Sequence, residues 1–196
     1  MLAPNDLHTS RLLLRRWHPD DAVQLEPILA TNVDHLGPWI PRRVAEPVPL
    51  PRLIERLEAC VVAFDEGREW RFGIFARHTL ELLGEVGLYP RAVRGRVPFE
   101  NADHIEIGYW LRSDVTGQGF ATEASRAMCD LARTLPHMTR IVIRCDERNA
   151  RSTAIPRRLG FQFAETIVQR SVTVSKTPER LQVWEYGLSG DAPVVV

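Results

Sequence analysis

Residues 11–17 (RLLLRRW) form a short apolar run, and Pro19-Asp20-Asp21 after it places acidic side chains where a helix macrodipole is positive. The pattern predicts a strand followed by a helix start. Residues 38–51 hold Pro38, Pro41, Pro47, Pro49 and Pro51, which remove too many backbone donors for regular structure and predict a loop. Behind the loop, Leu53, Leu57 and Val61 recur at four-residue steps and predict a helix over 52–66. Residues 70–77 (WRFGIFAR) and 81–89 (ELLGEVGLY) are strand-like runs around a short polar turn, the pattern of an antiparallel hairpin. Residues 90–101 read as a second irregular stretch.

Residues 104–112 (HIEIGYWLR) alternate, setting His104, Glu106, Gly108, Trp110 and Arg112 on one face and Ile105, Ile107, Tyr109 and Leu111 on the other. This predicts a strand carrying a buried carboxylate. Phe120, Ala124, Ala127, Met128, Leu131 and Leu135 then follow at helical spacing, and Pro136 is expected to end that helix. Residues 140–145 (RIVIRC) read as the next strand. Asn149 can cap a short helix through Leu159, with Gly160 as its stop, and 161 onward and 181–188 read as two closing strands. The array is mixed α/β: an antiparallel front half, one strand-helix-strand unit and a closing hairpin. Internal repeats and low-complexity stretches are absent from the sequence.

Composition narrows the class of molecule. The 196 residues suit one domain, 1–196, with a core over about 7–188 and a short C-terminal tail. Lys+Arg and Asp+Glu both total 25, and 44% hydrophobic with 26% charged is ordinary globular composition. That disfavours disorder and an electrostatic nucleic-acid binder. Cys60, Cys129 and Cys145 form no C-x-x-C pair, and the histidines show no ligand spacing, so no disulfide framework and no metal are expected. With neither a signal-like N-terminus nor a long apolar run, the expectation is a cytoplasmic protein with no membrane partner.

The chemistry concentrates in Thr116-Gly117-Gln118-Gly119-Phe120-Ala121-Thr122, between a predicted strand and a predicted helix. Glycines there let backbone approach a ligand, and the free N–H groups of a first helical turn bind phosphate. Two ligand classes use such a loop. A dinucleotide would read it as G-x-G-x-x-G with Asp146 as ribose partner, but Thr122 stands at the third glycine and no second strand-helix-strand unit follows. Coenzyme A needs the same helix terminus for its pyrophosphate and an unpaired strand edge for its pantetheine amides.

The blocks E-I-G-Y-W-L, G-Q-G-F-A-T-E-A, N-A-R-S and R-L-G-F, after an early S-R-L-L-L-R and H-L-G-P-W-I, resemble the GNAT N-acetyltransferase superfamily in its RimJ/RimL branch. The resemblance covers residues 7–188. It implies a strongly twisted mixed sheet of about seven strands flanked by helices, acetyl-CoA as donor and a primary amine as acceptor. It also implies that amides from Gly117 to Thr122, with Gly119, Phe120 and Ala121 between them, hold the diphosphate, and that Gln118 and Thr122 add side-chain donors. Trp110 and Leu111 match the positions whose backbone pairs with pantetheine and faces the thioester oxygen. Thr116 departs from the Arg, Gln or aromatic residue usual there.

Asn149 and Ser152 match the family's Asn-x-x-Ser, and positions three apart share a helix face. An Asn cap with Ser at the third helical position is the plainer reading. Pro156 bears on the choice, because it lacks the N–H that would bond the Ser152 carbonyl and so loosens the helix there. The roles implied are Ser152 as proton donor to the departing sulfur, Asn149 as pantetheine anchor and Glu106 as base; Glu106 as an ion-paired strand carboxylate, with Arg112, stands beside that last role. Trp39, Arg42, Arg43 and Trp184 are expected to line the acceptor side. Arg91, Arg94 and Arg96 form a basic run that reads as solvated loop. The acceptor is expected to be a protein N-terminal amine or a small-molecule amine, and members of the resembled family are often homodimers. A GNAT-fold module that holds CoA without turnover is the rival of another class.

Overall fold

The computed structural model describes residues 3–93, 95–173 and 178–188. A hairpin of β1 (Asp6–His8) and β2 (Leu12–Arg16) leads through a single 3-10 turn, Pro19–Asp21, into α1 (Ala22–Thr31). A short α2 (Val33–Leu36) follows, and the Pro-rich stretch is less irregular than its prolines suggest, holding α3 (Arg42–Ala45) and the start of α4 (Leu50–Asp65). Pro49 precedes α4 and Pro51 sits in its first turn, where the missing N–H costs nothing because it would have had no helical partner.

Strands β3 (Trp70–Ala76) and β4 (Leu82–Ala92) form the expected hairpin, and β4 continues past Pro90 to pair with a short β5 (Gly95–Arg96). Then come β6 (His104–Leu111), α5 (Phe120–Ala132), β7 (Arg140–Asp146), α6 (Ala150–Arg158), β8 (Gln162–Gln169) and β9 (Glu179–Gly187). Helix α5 stops ahead of Pro136, with Thr134 and Leu135 bonding back to the Leu131 and Ala132 carbonyls in a tight final turn. Among the described residues the sheet has nine strands rather than about seven, in the order β1-β2-β3-β4-β6-β7-β9-β8 with β5 on β4. The extra strands are short or lie where prolines and polar residues mask the alternation. Arg94 and the C-terminal tail lie outside the described residues.

Alternation decides what each sheet face does. Ile105, Ile107, Ile141 and Ile143 pack with Met128, Leu131 and Ala132 of α5 in the larger core cluster. A second cluster joins Trp17, Leu25, Leu29, Leu53, Leu57 and Trp110 beneath α1 and α4. Each large buried side chain contributes about 1.5 to 3 kcal/mol, which holds the helices to the sheet. The neighbours β6 and β7 pair over only part of their length. They run parallel only from His104↔Arg140 to Ile107↔Ile143, while β6 stays on β4 to Leu111 and β7 stays on β9 to Asp146. Past Ile107 the sheet therefore opens between them.

Candidate active site

The opening leads directly to the glycine loop. Gly117 (φ +79) and Gly119 (φ +83) are both left-handed, a backbone that glycine adopts at no steric cost. Gly119 is the N-cap of α5 and makes no side-chain cap, so the first amides of the helix, at Phe120, Ala121 and Thr122, have no partner within it. Gly117, Gln118 and Gly119 are exposed, and free amides at the positive end of α5 face solvent there, an arrangement suited to a diphosphate.

Arg11, which the pattern passed over, braces this loop. Its Nη1 donates to the Gln118 carbonyl at 2.9 Å, its Nε donates to Glu123 at 2.7 Å, and its guanidinium lies 4.5 Å from the Phe120 ring centroid. Glu123 also accepts from the Thr9 hydroxyl (2.6 Å), the Ser10 hydroxyl (3.0 Å) and the Arg11 amide (3.0 Å). Burial acts to raise the Glu123 pKa, but these donors together hold it below the usual carboxylate range. The turn between β1 and β2 is thereby fixed to the first turn of α5. From the far side, Arg151 of α6 donates to Thr116 Oγ1 at 3.3 Å, so a guanidinium stands beside the position where Thr116 replaces the Arg, Gln or aromatic residue expected from the resemblance. Contacts reaching more than a hundred residues along the chain leave no trace in local spacing.

The strand edges at the opening have a definite orientation. Arg112 N–H donates to the Leu83 carbonyl at 2.9 Å, and antiparallel alternation from that pair points the backbone groups of Trp110 and Gly108 at β4. Those of Tyr109 and Leu111 point at the opening. Of the two residues expected to contact pantetheine, Leu111 turns its backbone groups to the opening, as Tyr109 does, whereas Trp110 turns its own to β4. Gly84 makes the geometry possible, since a Cβ there would lie 2.1 Å from the Trp110 carbonyl oxygen. His35 Nε2 lies 3.1 Å from the Leu111 carbonyl, which requires the tautomer protonated at Nε2. The Trp110 indole packs into the smaller core with its Nε1 buried and without a partner.

Across the opening, Asn149 Oδ1 accepts from the Ser152 amide at 3.1 Å and caps α6, so its side chain is engaged as a cap. Pro156 lies inside the helix, and the Ser152 carbonyl that it cannot reach accepts instead from the Tyr109 hydroxyl at 3.2 Å. The same hydroxyl lies 3.1 Å from Ser152 Oγ. Cys145 also meets Ser152, and burial pushes its thiol up to about 11. Burial likewise drives the Tyr109 phenol well above its ordinary value, so it stays protonated and able to donate. Sequence alternation placed Tyr109 on the apolar face; a phenol among isoleucines needs a polar partner, and that was the available signal.

Glu106 lies on the opposite face and is held by Arg91 at 2.9 Å and by Arg144. Burial pulls its pKa up, but the two guanidiniums outweigh that and leave it lowered, which makes it a weak proton acceptor. The ion-pair partner expected from the sequence was Arg112, which instead binds Asp114 and Glu81. Asp146, the ribose partner in the dinucleotide reading, is occupied by Arg148 through Nε, Nη2 and the amide.

The acceptor-side residues separate. Trp39 is half-buried with the Arg148 guanidinium 5.8 Å from its ring centroid, close to the end of β7. Arg43 lies within electrostatic range of Tyr89, Glu69 and Arg96. Arg42 turns outward to Glu46 at 2.7 Å, and its amide donates to the Val172 carbonyl. Trp184 is 5% exposed in the main core, against Phe163 and Arg157, and so packs rather than lining a cleft. Glu179, unforeseen, accepts from Gln169, Ser171, Val172 and Thr173 and shapes the loop that meets Arg42.

Among the described residues, no group of three His, Cys, Asp or Glu side chains could hold a metal ion, and no helix is long and apolar enough to cross a membrane. Residues 11–162 match the Acetyltransferase (GNAT) domain family. The chain belongs to this family. This GNAT protein is 28% identical over 156 residues to the putative ribosomal N-acetyltransferase YdaF of Bacillus subtilis, covering 76% of this chain and 77% of that protein. It is 29% identical over 156 residues to the ribosomal protein uS5-alanine N-acetyltransferase of Escherichia coli, covering 80% and 77%. Its fold also matches RimL, a ribosomal L7/L12 α-N-protein acetyltransferase in complex with coenzyme A, with a TM-score of 0.77 and 18% identity over 93% of this chain and 97% of that one.

Proposed function

We propose that this GNAT protein transfers the acetyl group of acetyl-CoA to a primary amine, and that the acceptor is the N-terminal α-amine of a protein. The observation carrying the reading is the opening between β6 and β7, bounded by the free amides of α5 at one end and by the Tyr109–Ser152 pair at the other. The diphosphate would lie on the amides from Gly117 to Thr122 and the pantetheine against the edges of Tyr109 and Leu111. The thioester oxygen would face the Leu111 amide, a preorganised donor for the charge that develops there. Relatives that carry ribosomal N-acetyltransferase names support the protein acceptor.

In the reaction a neutral amine attacks the thioester carbonyl and forms the C–N bond, the nitrogen gives up its extra proton to solvent, the C–S bond breaks, and the thiolate leaves with a proton to be supplied. Ser152 Oγ, linked to the Tyr109 hydroxyl, is the donor, and solvent restores its proton. An α-amine with a pKa of roughly 7.7 to 8.0 is partly neutral at physiological pH, so a strong base is not needed. Glu106, bound to Arg91 and Arg144, acts on the charge of the acceptor side rather than as the base. Calorimetry with acetyl-CoA and NAD(P), followed by thiol release with a panel of N-terminal peptides and small amines, tests the reading. Acetyl-CoA binding with acceptor-dependent CoA release is expected; tight NAD(P) binding alone, or CoA binding without turnover, overturns it.

A further inference from the structure

The end of β6 loses its strand neighbours in two steps: its pairing with β7 stops at Ile107, and its register with β4 stops at Leu111. Backbone groups left over there need partners from outside the sheet. Two of them are met from the junction of α1 and α2. Asn32 Oδ1 accepts from the Ser113 amide at 2.8 Å, and three residues on, His35 Nε2 donates to the Leu111 carbonyl at 3.1 Å. The two side chains stand on one face, as their spacing requires, and meet β6 on either side of Arg112. Asn32 is buried and itself fixed: it closes α1 and opens α2, its Nδ2 donates to the Ile28 carbonyl at 2.9 Å, and its own carbonyl accepts from the Leu36 amide at 2.9 Å.

The same segment reaches the other strand end. The Leu36 carbonyl accepts from the Trp39 and Ile40 amides, both at 2.9 Å, and the Trp39 ring centroid lies 5.8 Å from the Arg148 guanidinium. Arg148 Nε in turn donates at 2.9 Å to Asp146, the last residue of β7. Residues 32–39 therefore run from the end of one diverging strand to the end of the other. Resting on the acetyltransferase reading, we infer that His35 is a positioning residue for the transfer. By holding the Leu111 carbonyl it fixes the direction of the Leu111 amide, which would face the thioester oxygen, and the 32–39 segment holds the two strand ends at a set spacing around the cosubstrate. The carbonyl has a second lone pair, free for a pantetheine amide. An Nε2 proton is present in the imidazolium as well as in the neutral tautomer, so the role is that of a donor and takes up no proton.

The test is thiol release from acetyl-CoA with the best acceptor of the peptide and amine panel, beside calorimetric binding of acetyl-CoA and melting curves. H35F and H35A, which lack the donor, are expected to lose about 10- to 100-fold in kcat, while acetyl-CoA affinity changes by less than about threefold. H35Q, whose Nε2 donates but takes no proton near neutrality, should keep kcat within about threefold and the wild-type pH profile. D34N, at an exposed position of α2, should match wild type. The H35F and W39L losses should fall short of adding in the double variant, because either one releases the same segment. Wild-type kcat in H35F and H35A overturns the inference. So does a loss in H35Q as deep as in H35F, which would make His35 a proton acceptor. Acetyl-CoA affinity falling as far as kcat, or fully additive losses with W39L, overturns it too. No CoA release from the wild-type protein with any acceptor overturns the acetyltransferase reading itself.

Discussion

The Tyr109 hydroxyl donates to the Ser152 carbonyl, the one acceptor in α6 that Pro156 leaves without its helical partner. A strand side chain thus completes a helix that proline interrupts, and in doing so its oxygen comes to 3.1 Å from Ser152 Oγ. The local sequence of α6 and the alternation of β6 cooperate to bring together the pair that we propose donates the proton. Tyr109→Phe is expected to lower stability by about 1 to 3 kcal/mol, because the carbonyl loses its donor. Turnover should fall by roughly 10- to 100-fold with little change in acetyl-CoA affinity. Ser152→Ala should reproduce the turnover loss without the stability loss. Denaturation midpoints and single-turnover rates separate the two, and unchanged turnover in both variants would remove the pair from the mechanism.

Gly84 sets the spacing at which β4 supports the end of β6. Its substitution by Ala would put a Cβ 2.1 Å from the Trp110 carbonyl oxygen and 2.9 Å from the Leu111 Cα, both backbone atoms at the end of β6. The strands must separate, which is expected to cost about 2 to 4 kcal/mol and to move the Leu111 amide. Gly84→Ala should therefore lose both thermal stability and turnover, whereas Gly187→Ala, whose Cβ meets nothing within 4 Å, should lose neither. Equal melting temperatures for the two variants would contradict the crowding.

Arg11 joins the first hairpin to the glycine loop through Gln118, Glu123 and Phe120. Arg11→Met keeps the length of the side chain and removes the donors, so the loop amides lose their preorganisation. Acetyl-CoA affinity should weaken by about tenfold, with turnover at saturation changed much less. Stopped-flow binding and saturation kinetics check the split; an equal fall in both quantities would place Arg11 nearer the reacting atoms.

Several elements were legible from the sequence because they depend on neighbours in the chain. The period of β6, the glycines before α5 and the Asn149 cap belong to this group, and so does the loosening of α6 at Pro156. What escaped was set by distant partners. Trp184 looks like a cleft aromatic until Phe163 and Arg157 close over it, and Glu106 looks like a base until Arg91 and Arg144 hold it. The opening itself was readable only through the resemblance, since it depends on where β6 and β7 stop pairing.

Glu106 should link stability to acid. Its folded pKa lies below the value of about 4.3 expected in an unfolded chain, so its ionised form stabilises the fold fully above that value and loses the contribution as pH falls through the folded value. Glu106→Gln leaves Arg91 and Arg144 without their carboxylate and should cost about 2 to 3 kcal/mol at neutral pH, at the lower end because Arg144 keeps some solvent access. In urea titrations the gap between wild type and variant should shrink as the pH is lowered below about 4. A constant gap down to the acid transition would show that the pair contributes packing rather than charge.

The pH dependence of transfer distinguishes a neutral-amine mechanism from base catalysis by the protein. With the Glu106 pKa lowered and the Tyr109 and Tyr89 phenols raised by burial, none of these groups titrates near neutrality. The rise in kcat/KM with pH should then follow the acceptor amine itself, near its pKa of roughly 7.7 to 8.0 for an N-terminal amine. Changing to an acceptor whose amine is one unit less basic should move the rise down by about one unit, because the fraction of neutral amine sets the rate. If the rise stays at the same pH for both acceptors, a group of the protein takes the proton, and Glu106 would have to be reconsidered as that group with its arginines displaced by substrate.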